Sequence, residues 1–415
     1  MKLSKLAAGL AAAGVVATLG ACSTDSSASS DTQTLKLWMP PYTSSDVSDE
    51  DEWDTILADF EEENDVDVEV TIVPWESYEE KILTGMSSGE GPDVTLMWAS
   101  MMGDYMASGA ITSLDDYIAD EDTSDYLYLD KGVFDGQQWA VPFMVGGARV
   151  MFYNQDLLTQ AGVTEVPTTW DEFLDACAKL KAAGITAVIQ TWGDTSGSLN
   201  DTFMPLLWQA DGDLLNDDNT ATAWDSDAGV EAATFINTLA TEGYLPANSL
   251  SLTAEQGVDM FTSGEAAFFV QVDSTVGYLD DVDFEWGWTD SLSNEQKAVW
   301  VAADALVMSS ACEDKELCMD LISYMSAAPQ AEQFHEFASY PPINESEAWT
   351  TDEEFQSVYA DAEIQYSVPG APGEGTALES LWENLQQMVA GDKTPEEAMA
   401  DSAAAGDQAI SEASE

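Results

Sequence analysis

The sequence predicts an α/β protein of two lobes, with a mostly parallel sheet in the first lobe. Strand and helix patterns alternate from Leu35 onward, and a second alternating run begins near Pro167. No low-complexity linker separates the two runs, so we expect strands that cross between the lobes and a cleft where the lobes meet. The length of 415 residues agrees with this organisation, since a domain typically holds about 100–200 residues.

The first run contains short strands separated by helices. Leu35–Trp38 and Val94–Trp98 are apolar strands, and Val66–Ile72 alternates apolar with polar residues, which is typical of a half-buried strand. A helix whose apolar face includes Phe60 lies between the first two strands, and a second helix is expected to end at Gly89.

The second run repeats this alternation. Thr169 is expected to cap a helix, with Glu172 as its capping-box partner. Residues 227–242 have a helical pattern, and Ala266–Val272 is a buried strand. Near the end of the chain, Thr394 is expected to cap the last helix.

The composition is strongly acidic. The chain has 78 aspartate and glutamate residues against 11 lysine and arginine residues, for a formal net charge of −67. Nucleic acids and anionic lipid surfaces are bound through basic side chains, so the composition argues against both classes of partner. The hydrophobic fraction of 45% supplies the apolar area that a folded core needs and that disordered polyanions lack.

The N-terminal segment has the pattern of a secretory signal peptide. Two lysines precede an apolar stretch that is too short for a permanent membrane helix. The ending Leu19-Gly20-Ala21-Cys22 resembles the bacterial lipobox, which implies a signal peptide over residues 1–22 and a lipid attached to Cys22. An ordinary cleaved signal with an incidental cysteine is the alternative. Residues 23–34 are expected to form a flexible tether.

The other cysteines lie outside the cytoplasm on this interpretation. Cys177 falls on an apolar helical stripe, which indicates a buried thiol. Cys312 and Cys318 either form a disulfide, which an exported protein permits, or remain free. Their spacing matches no zinc signature, and the chain has a single histidine, so we expect neither a metal site nor a cofactor.

Motifs along the mature chain resemble extracellular solute-binding protein family 1. These are the carbohydrate ABC transporter substrate-binding lipoproteins similar to maltose-binding protein. The motifs, in the family's order, are Gly89–Val94 followed by Trp98, Trp139–Phe143, Phe152–Asn154, Pro167–Phe173, Phe261–Ala267 and Gly391–Ala398.

The resemblance implies a type II periplasmic-binding-protein fold, in which a ligand is captured as two α/β lobes close. The expected lobes are residues 35–142 plus 302–340 and residues 143–301 plus 341–415. Hinges are expected near residues 142–149, 300–304 and 341–343.

A sugar site needs aromatic rings for the C–H faces of the sugar and polar groups for its hydroxyls, at the carboxyl ends of parallel strands. The candidate ligand-binding residues at such places are Trp38, Tyr42, Trp98, Trp192, Asp194, Gln271, Asp273 and Asp304. Trp98 also matches, through the resemblance, a ring that stacks on sugar. For each aromatic candidate the alternative is a position in the core. Arg149, the only arginine, either binds an anionic ligand or forms a salt bridge at the hinge.

The implied function is capture of a mono- or oligosaccharide and its delivery to the permease subunits of an ABC importer. We expect a lipid-anchored monomer on the extracellular face of the bacterial membrane, without catalytic activity. The alternatives are a binding protein for a cationic solute such as a polyamine, a surface glycoside hydrolase, and a structural or adhesive lipoprotein. No nucleophile elbow or phosphate loop supports an enzyme.

Overall fold

The structure is a computed structural model that describes residues 33–42, 46–119, 121–279, 281–349, 355–360, 364–367 and 370–414. The predicted signal peptide over residues 1–22, the lipidation site at Cys22 and the tether up to residue 32 lie outside these residues. The first strand begins at Gln33, so the last two residues assigned to the tether belong to the sheet.

Strands and helices alternate along the described chain. The strands are β1 (Gln33–Met39), β2 (Val66–Ile72), β3 (Val94–Met97), β4 (Val133–Phe134), β5 (Gln137–Gln138), β6 (Ala140–Gly146), β7 (Arg149–Asn154), β8 (Thr186–Ile189), β9 (Ala266–Val272), β10 (Trp286–Thr289), β11 (Val299–Met308) and β12 (Ile364–Tyr366). The helices are α1 (Asp46–Asn64), α2 (Tyr78–Ser88), α3 (Ala99–Ala107), α4 (Asp115–Ile118), α5 (Gln155–Ala161), α6 (Trp170–Ala182), α7 (Leu199–Thr202), α8 (Met204–Gln209), α9 (Asp227–Thr241), α10 (Ala254–Thr262), α11 (Lys315–Ser326), α12 (Ala328–Ala338), α13 (Gln356–Tyr359), α14 (Glu374–Val389) and α15 (Pro395–Ala413).

The first lobe is built on the sheet β12-β11-β3-β1-β2, with β6 also paired to β11. β1 runs parallel to β2 and β3, as the alternation of strands and helices predicts. Successive residues of β1 point to opposite faces of the sheet. Leu35, Leu37 and Met39 enter one core layer, whereas Trp38 packs in the layer on the other face.

Two strands carry the chain between the lobes. β6 pairs antiparallel with β11 from Gly146 to Ala140, and the link Gly147-Ala148 then leads into β7 of the second lobe. The register between β6 and β11 shifts at Asp304, where a bulge interrupts the ladder. β12 pairs with the first residues of β11, at the same crossing.

The second lobe is built on the sheet β10-β7-β9-β8. Only the β8–β9 pair is parallel, because β7 enters from the crossing and runs antiparallel to both β9 and β10. The helices α14 and α15 complete this lobe, and Trp224 on its far side donates to the Ser402 hydroxyl at 3.0 Å. The last helices of the chain therefore belong to the core of the second lobe.

The two predicted helix caps differ in detail. Thr394 and Glu397 form the complete capping box, as predicted. At Thr169 the prediction was half right: its hydroxyl accepts from the Glu172 amide, but the Glu172 carboxylate accepts from the backbone amide and hydroxyl of Thr168. The helix start is therefore held by three residues instead of a reciprocal pair.

The cysteines occupy two environments. Cys177 is fully buried in the second lobe, and burial raises the pKa of its thiol. Cys312 and Cys318 are joined by a disulfide across the loop between β11 and α11, with their Cα atoms 6.9 Å apart. Lys315 closes the same loop by donating to the carbonyl oxygens of Ser309 and Ser310 at 3.0 and 2.8 Å. Asp93 lies beside the two sulfur atoms, but the disulfide leaves no thiolate to bind a metal.

No helix in the described part of the chain has the length and apolar character needed to cross a bilayer.

A candidate ligand-binding cleft between the lobes

The first wall of the cleft is aromatic and follows the carboxyl ends of β2 and β3. Trp98 directly precedes α3, and its ring centroid lies 6.1 Å from that of Trp75 and 5.7 Å from that of Tyr78. The Tyr78 hydroxyl donates to the carbonyl oxygen of Leu96 at 3.0 Å, which fixes the base of this cluster. Trp75 is 43% exposed, so part of its ring is open to a ligand.

Trp38 and Tyr42 follow the first strand but have different surroundings. The Trp38 ring packs on α2, where a Cβ at Gly85 would lie 2.8 Å from its edge. Its prediction as a ligand platform is not supported, because the alternation of β1 directs the side chain onto a helix. The Tyr42 ring lies between Trp75 and Phe334, at centroid distances of 6.4 and 4.8 Å. Its hydroxyl is buried and has no hydrogen-bond partner among the described residues.

Asp304 lies at the floor of the cleft. It is on β11 at the bulge opposite Met144, where the chain crosses between the lobes, and bulges commonly redirect a side chain in this way. Burial raises the pKa of its carboxyl group to about 7, although the nearby Arg149 guanidinium opposes the shift. Tyr42, Tyr78 and Tyr340 lie within range of its charge.

Arg149 begins β7 and forms a salt bridge, which was one of the two roles predicted for it. Its Nε atom lies 2.8 Å from Asp201 Oδ1, with both side chains 12% exposed. Its Nη1 atom donates to the Gly147 carbonyl oxygen at 2.6 Å, and its guanidinium carbon lies 4.3 Å from the centre of the Trp300 ring. Charge, hydrogen bonds and ring therefore hold the guanidinium in one position.

Asp273 and Gln271 lie on the second-lobe side of the floor, and both are buried. Asp273 accepts hydrogen bonds from the Tyr359 hydroxyl and from the Ser274 amide. Burial raises the pKa of Asp273, and these hydrogen bonds oppose the shift. The Gln271 amide oxygen accepts from the Val272 backbone. The structure thus brings Asp273 close to Arg149, whereas Gln271 bonds only to its neighbour among the described residues.

Two predicted site residues of the second lobe have structural roles here. Trp192 is 0% exposed, and its ring stacks on Trp382 with centroids 4.8 Å apart and planes 17° apart. Its prediction as a cleft platform is therefore a correction: the ring lies in the core because a helix far along the chain covers it. Asp194 accepts from the Ala254 amide at 2.8 Å and so caps the start of α10, while remaining partly exposed.

The lobes also touch directly beside the aromatic wall. The Gly373 amide, at the start of α14, donates to Asp104 Oδ1 of α3 at 2.7 Å. A Cβ at Gly103 would lie 2.3 Å from the Ala371 carbonyl oxygen, so only glycine permits this approach. Since α14 belongs to the second-lobe core, these contacts hold the two lobes together and correspond to a closed arrangement.

Glu374 lies within this contact and makes it sensitive to pH. Its Oε2 atom is buried without a hydrogen-bond partner among the described residues, and burial raises its pKa from 4.5 to about 7. The folded protein therefore binds this proton more tightly than the unfolded chain does. The contribution of Glu374 to stability is complete below pH 4.5 and is lost as the pH rises through about 7.

We predict that Glu374→Gln raises the free energy of unfolding by up to ~3 kcal/mol at about pH 8, with no difference near pH 4. The amide keeps the shape of the side chain without its charge. Urea unfolding of both proteins at the two pH values measures the effect, with Glu383→Gln as the control because Glu383 is exposed on the same helix. An equal gain in the control, or none at pH 8, would contradict the prediction.

The family of the chain follows from its match to the family model described as bacterial extracellular solute-binding protein, over residues 45–332. The chain belongs to this family. The predicted family and the two-lobe periplasmic-binding-protein fold are confirmed, and the family places this solute-binding protein outside the cytoplasm.

Similar proteins include two curated relatives and one solved structure. The solute-binding protein is 33% identical to the diacetylchitobiose binding protein DasA of Streptomyces coelicolor over 179 residues, or 41% of each chain. It is 22% identical to the galactooligosaccharide-binding protein of Bacillus subtilis over 93% of each chain. The GacH receptor of Streptomyces glaucescens, solved unliganded and with acarbose, superposes with a TM-score of 0.75 at 22% identity, covering 92% of this chain and 99% of that one.

Several cleft residues of the solute-binding protein were not among the sequence candidates. Trp75 follows the end of a parallel strand, as Trp98 does, so the same rule could have found it. Tyr340 and Tyr359 come from crossing segments without a regular pattern. Trp349 is 38% exposed, with its ring 5.7 Å from that of Tyr359. These three aromatic residues reach the cleft only through the tertiary fold.

Proposed function

We propose that this solute-binding protein is the substrate-binding component of a carbohydrate ABC importer. The protein captures a mono- or oligosaccharide between its lobes and presents the closed form to the permease subunits. The observation that carries the proposal is the aromatic wall of Trp75, Tyr78 and Trp98 beside the carboxylates of Asp273 and Asp304. A sugar needs both surfaces, because rings stack on its C–H faces and oxygen atoms accept from its hydroxyls.

The relatives support the same substrate class. The names of the DasA and Bacillus subtilis relatives state that they bind carbohydrates, and the GacH receptor was solved with acarbose. We propose that the same class of ligand binds here, in a site that differs in its residues.

The protein acts outside the cell on a lipid anchor at Cys22, after removal of residues 1–22. It works as a monomer and without catalysis. Mass spectrometry of protein extracted from membranes would detect the acylated cysteine. Sustained cleavage of labelled oligosaccharides by the purified protein would instead establish a glycoside hydrolase.

A thermal-shift screen against mono- and oligosaccharides tests the proposal. A ligand at 100 times its dissociation constant stabilises the folded state by about 2.7 kcal/mol. Solution scattering should show whether the hit closes the lobes. A screen without any carbohydrate hit would contradict the proposal.

We predict that Trp98→Ala weakens binding of that carbohydrate by about 30-fold or more, because truncation of a central aromatic contact costs at least about 2 kcal/mol. Isothermal titration calorimetry measures the affinity, and thermal unfolding confirms that the lobe remains folded. Leu83→Ala is the control, since Leu83 is 58% exposed on α2. Wild-type affinity in the Trp98 variant would remove this ring from the site.

A further inference from the structure

The carboxylates at the cleft floor differ in their partners. Asp201 accepts from Arg149 at 2.8 Å, and Asp273 accepts from the Tyr359 hydroxyl and the Ser274 amide. Asp304 accepts no hydrogen bond from any residue that the structure describes, although it is largely enclosed and only partly exposed. A carboxylate in such a place is costly unless it meets a donor.

The charges around Asp304 do not balance. The carboxylates of Asp201, Asp273 and Asp304 share one guanidinium, that of Arg149. Arg149 is committed to Asp201, to the Gly147 carbonyl oxygen and to the Trp300 ring. The floor of the cleft therefore has an excess of negative charge.

A second polar group beside Asp304 is also unsatisfied. The Tyr42 hydroxyl is buried, has no hydrogen-bond partner among the described residues, and lies within range of the Asp304 charge. Its ring lies near the exposed Trp75 at the entrance of the aromatic wall. A ligand group placed between Tyr42 and Asp304 would meet one neutral oxygen, one carboxylate and the edge of an aromatic wall.

We propose that the sugar bound by this protein carries a protonated amine, and that the amine binds between the Asp304 carboxylate and the Tyr42 hydroxyl. This inference rests on the proposed carbohydrate function. A neutral hydroxyl would supply one hydrogen bond and leave the excess charge uncompensated as the cleft closes. A primary ammonium group donates up to three hydrogen bonds and also neutralises the charge, and it is attracted to aromatic faces.

The test compares matched sugars that differ in one group. Glucosamine, galactosamine and their di- to tetrasaccharides are titrated by calorimetry at about pH 7.5, beside the N-acetyl and hydroxyl counterparts of the same size. We expect at least one amino sugar to bind about 10-fold or more tightly than both of its neutral counterparts. Spermidine is included as a cation without a sugar ring.

Asp304→Asn keeps the shape of the side chain and an acceptor oxygen but removes the charge. We expect this variant to lose the preference for the amine while its affinity for the neutral counterparts changes less than about threefold. Asp116→Asn is the matched control, because it removes the same charge from an exposed position and should keep the preference. Thermal unfolding of both variants shows whether the fold is intact.

The outcomes separate this inference from the function on which it rests. Amino sugars that bind no tighter than their neutral counterparts would overturn the amine subsite and leave the carbohydrate function standing. Retention of the preference in a folded Asp304→Asn protein would also overturn it. Binding of spermidine alone, without any sugar, would overturn both, and would identify the protein as a receptor for cationic solutes.

Discussion

Replacing His335 with alanine should lower the free energy of unfolding by ~3–5 kcal/mol, the usual cost of removing one partner from a buried charged pair. Nδ1 of His335 lies 2.8 Å from Glu347 Oε2, and Nε2 lies 2.9 Å from the Phe143 carbonyl oxygen. Both side chains of the pair are essentially buried, at 1% and 0% exposure. Both neighbours of the ring are acceptors, so alanine leaves two buried oxygens without a donor.

The cost should be felt at the crossing between the lobes. The other carboxylate oxygen of Glu347 accepts from the amides of Ile343 and Asn344 at 3.1 and 2.9 Å. His335 therefore ties α12 to β6 and to the segment that follows α12.

Urea unfolding measures the loss, and a double-mutant cycle with Glu347→Gln assigns it to the pair. The double variant should lose less than the sum of the two single losses, because each single change leaves the other partner unsatisfied. Additive losses would show that the two side chains act independently. His335→Gln provides one amide donor and should recover part of the loss.

Much of the fold could be predicted because it is encoded in local patterns. Val66–Ile72 and Ala266–Val272 have the same bounds in the sequence pattern and in the structure. A strand with one buried face must alternate, and that alternation fixes the face within a few residues. The capping box at Thr394 is equally local, since both of its hydrogen bonds lie within one turn.

The direction of the second sheet could not be predicted in this way. Alternating strands and helices favour parallel pairing, but β7 pairs antiparallel with β9 because the crossing at Gly147 sets its direction. The pairing of Arg149 with Asp201 is likewise set by the fold, since the two residues are on different elements of the second lobe. Charge alone could not select this carboxylate among 78 acidic residues.

The aromatic candidates show the same limit. A tryptophan after a parallel strand can face either the cleft or the core, and the strand pattern does not distinguish the two. Trp98 and Trp75 face each other at the cleft wall, whereas Trp192 is covered by Trp382 of α14. Only the position of that helix, which comes late in the chain, decides the outcome.

Trp192→Ala should therefore destabilise the protein by ~3–5 kcal/mol, as expected for truncation of a large aromatic side chain in a core. The change removes the stack on Trp382 and the hydrogen bond from the indole N–H to Gln190 Oε1, which measures 3.2 Å. The surrounding backbone is also held by the Gln386 side chain, which donates to the Trp192 carbonyl oxygen at 2.6 Å. These neighbours limit collapse into the cavity, so the cost should fall in the upper part of the range. Urea unfolding measures it.

The conservative variant Trp192→Phe separates the core role from a role in binding. Phenylalanine keeps a ring against Trp382, so this variant should remain folded and bind the ligand with wild-type affinity. Trp75→Ala is the opposite case: its ring is 43% exposed, so truncation should cost little stability and weaken binding. If Trp192→Phe folded normally but lost the ligand, the ring would have to reach the cleft in another arrangement of the lobes. If Trp192→Ala unfolded no more easily than Trp75→Ala, the stack would contribute nothing to the core.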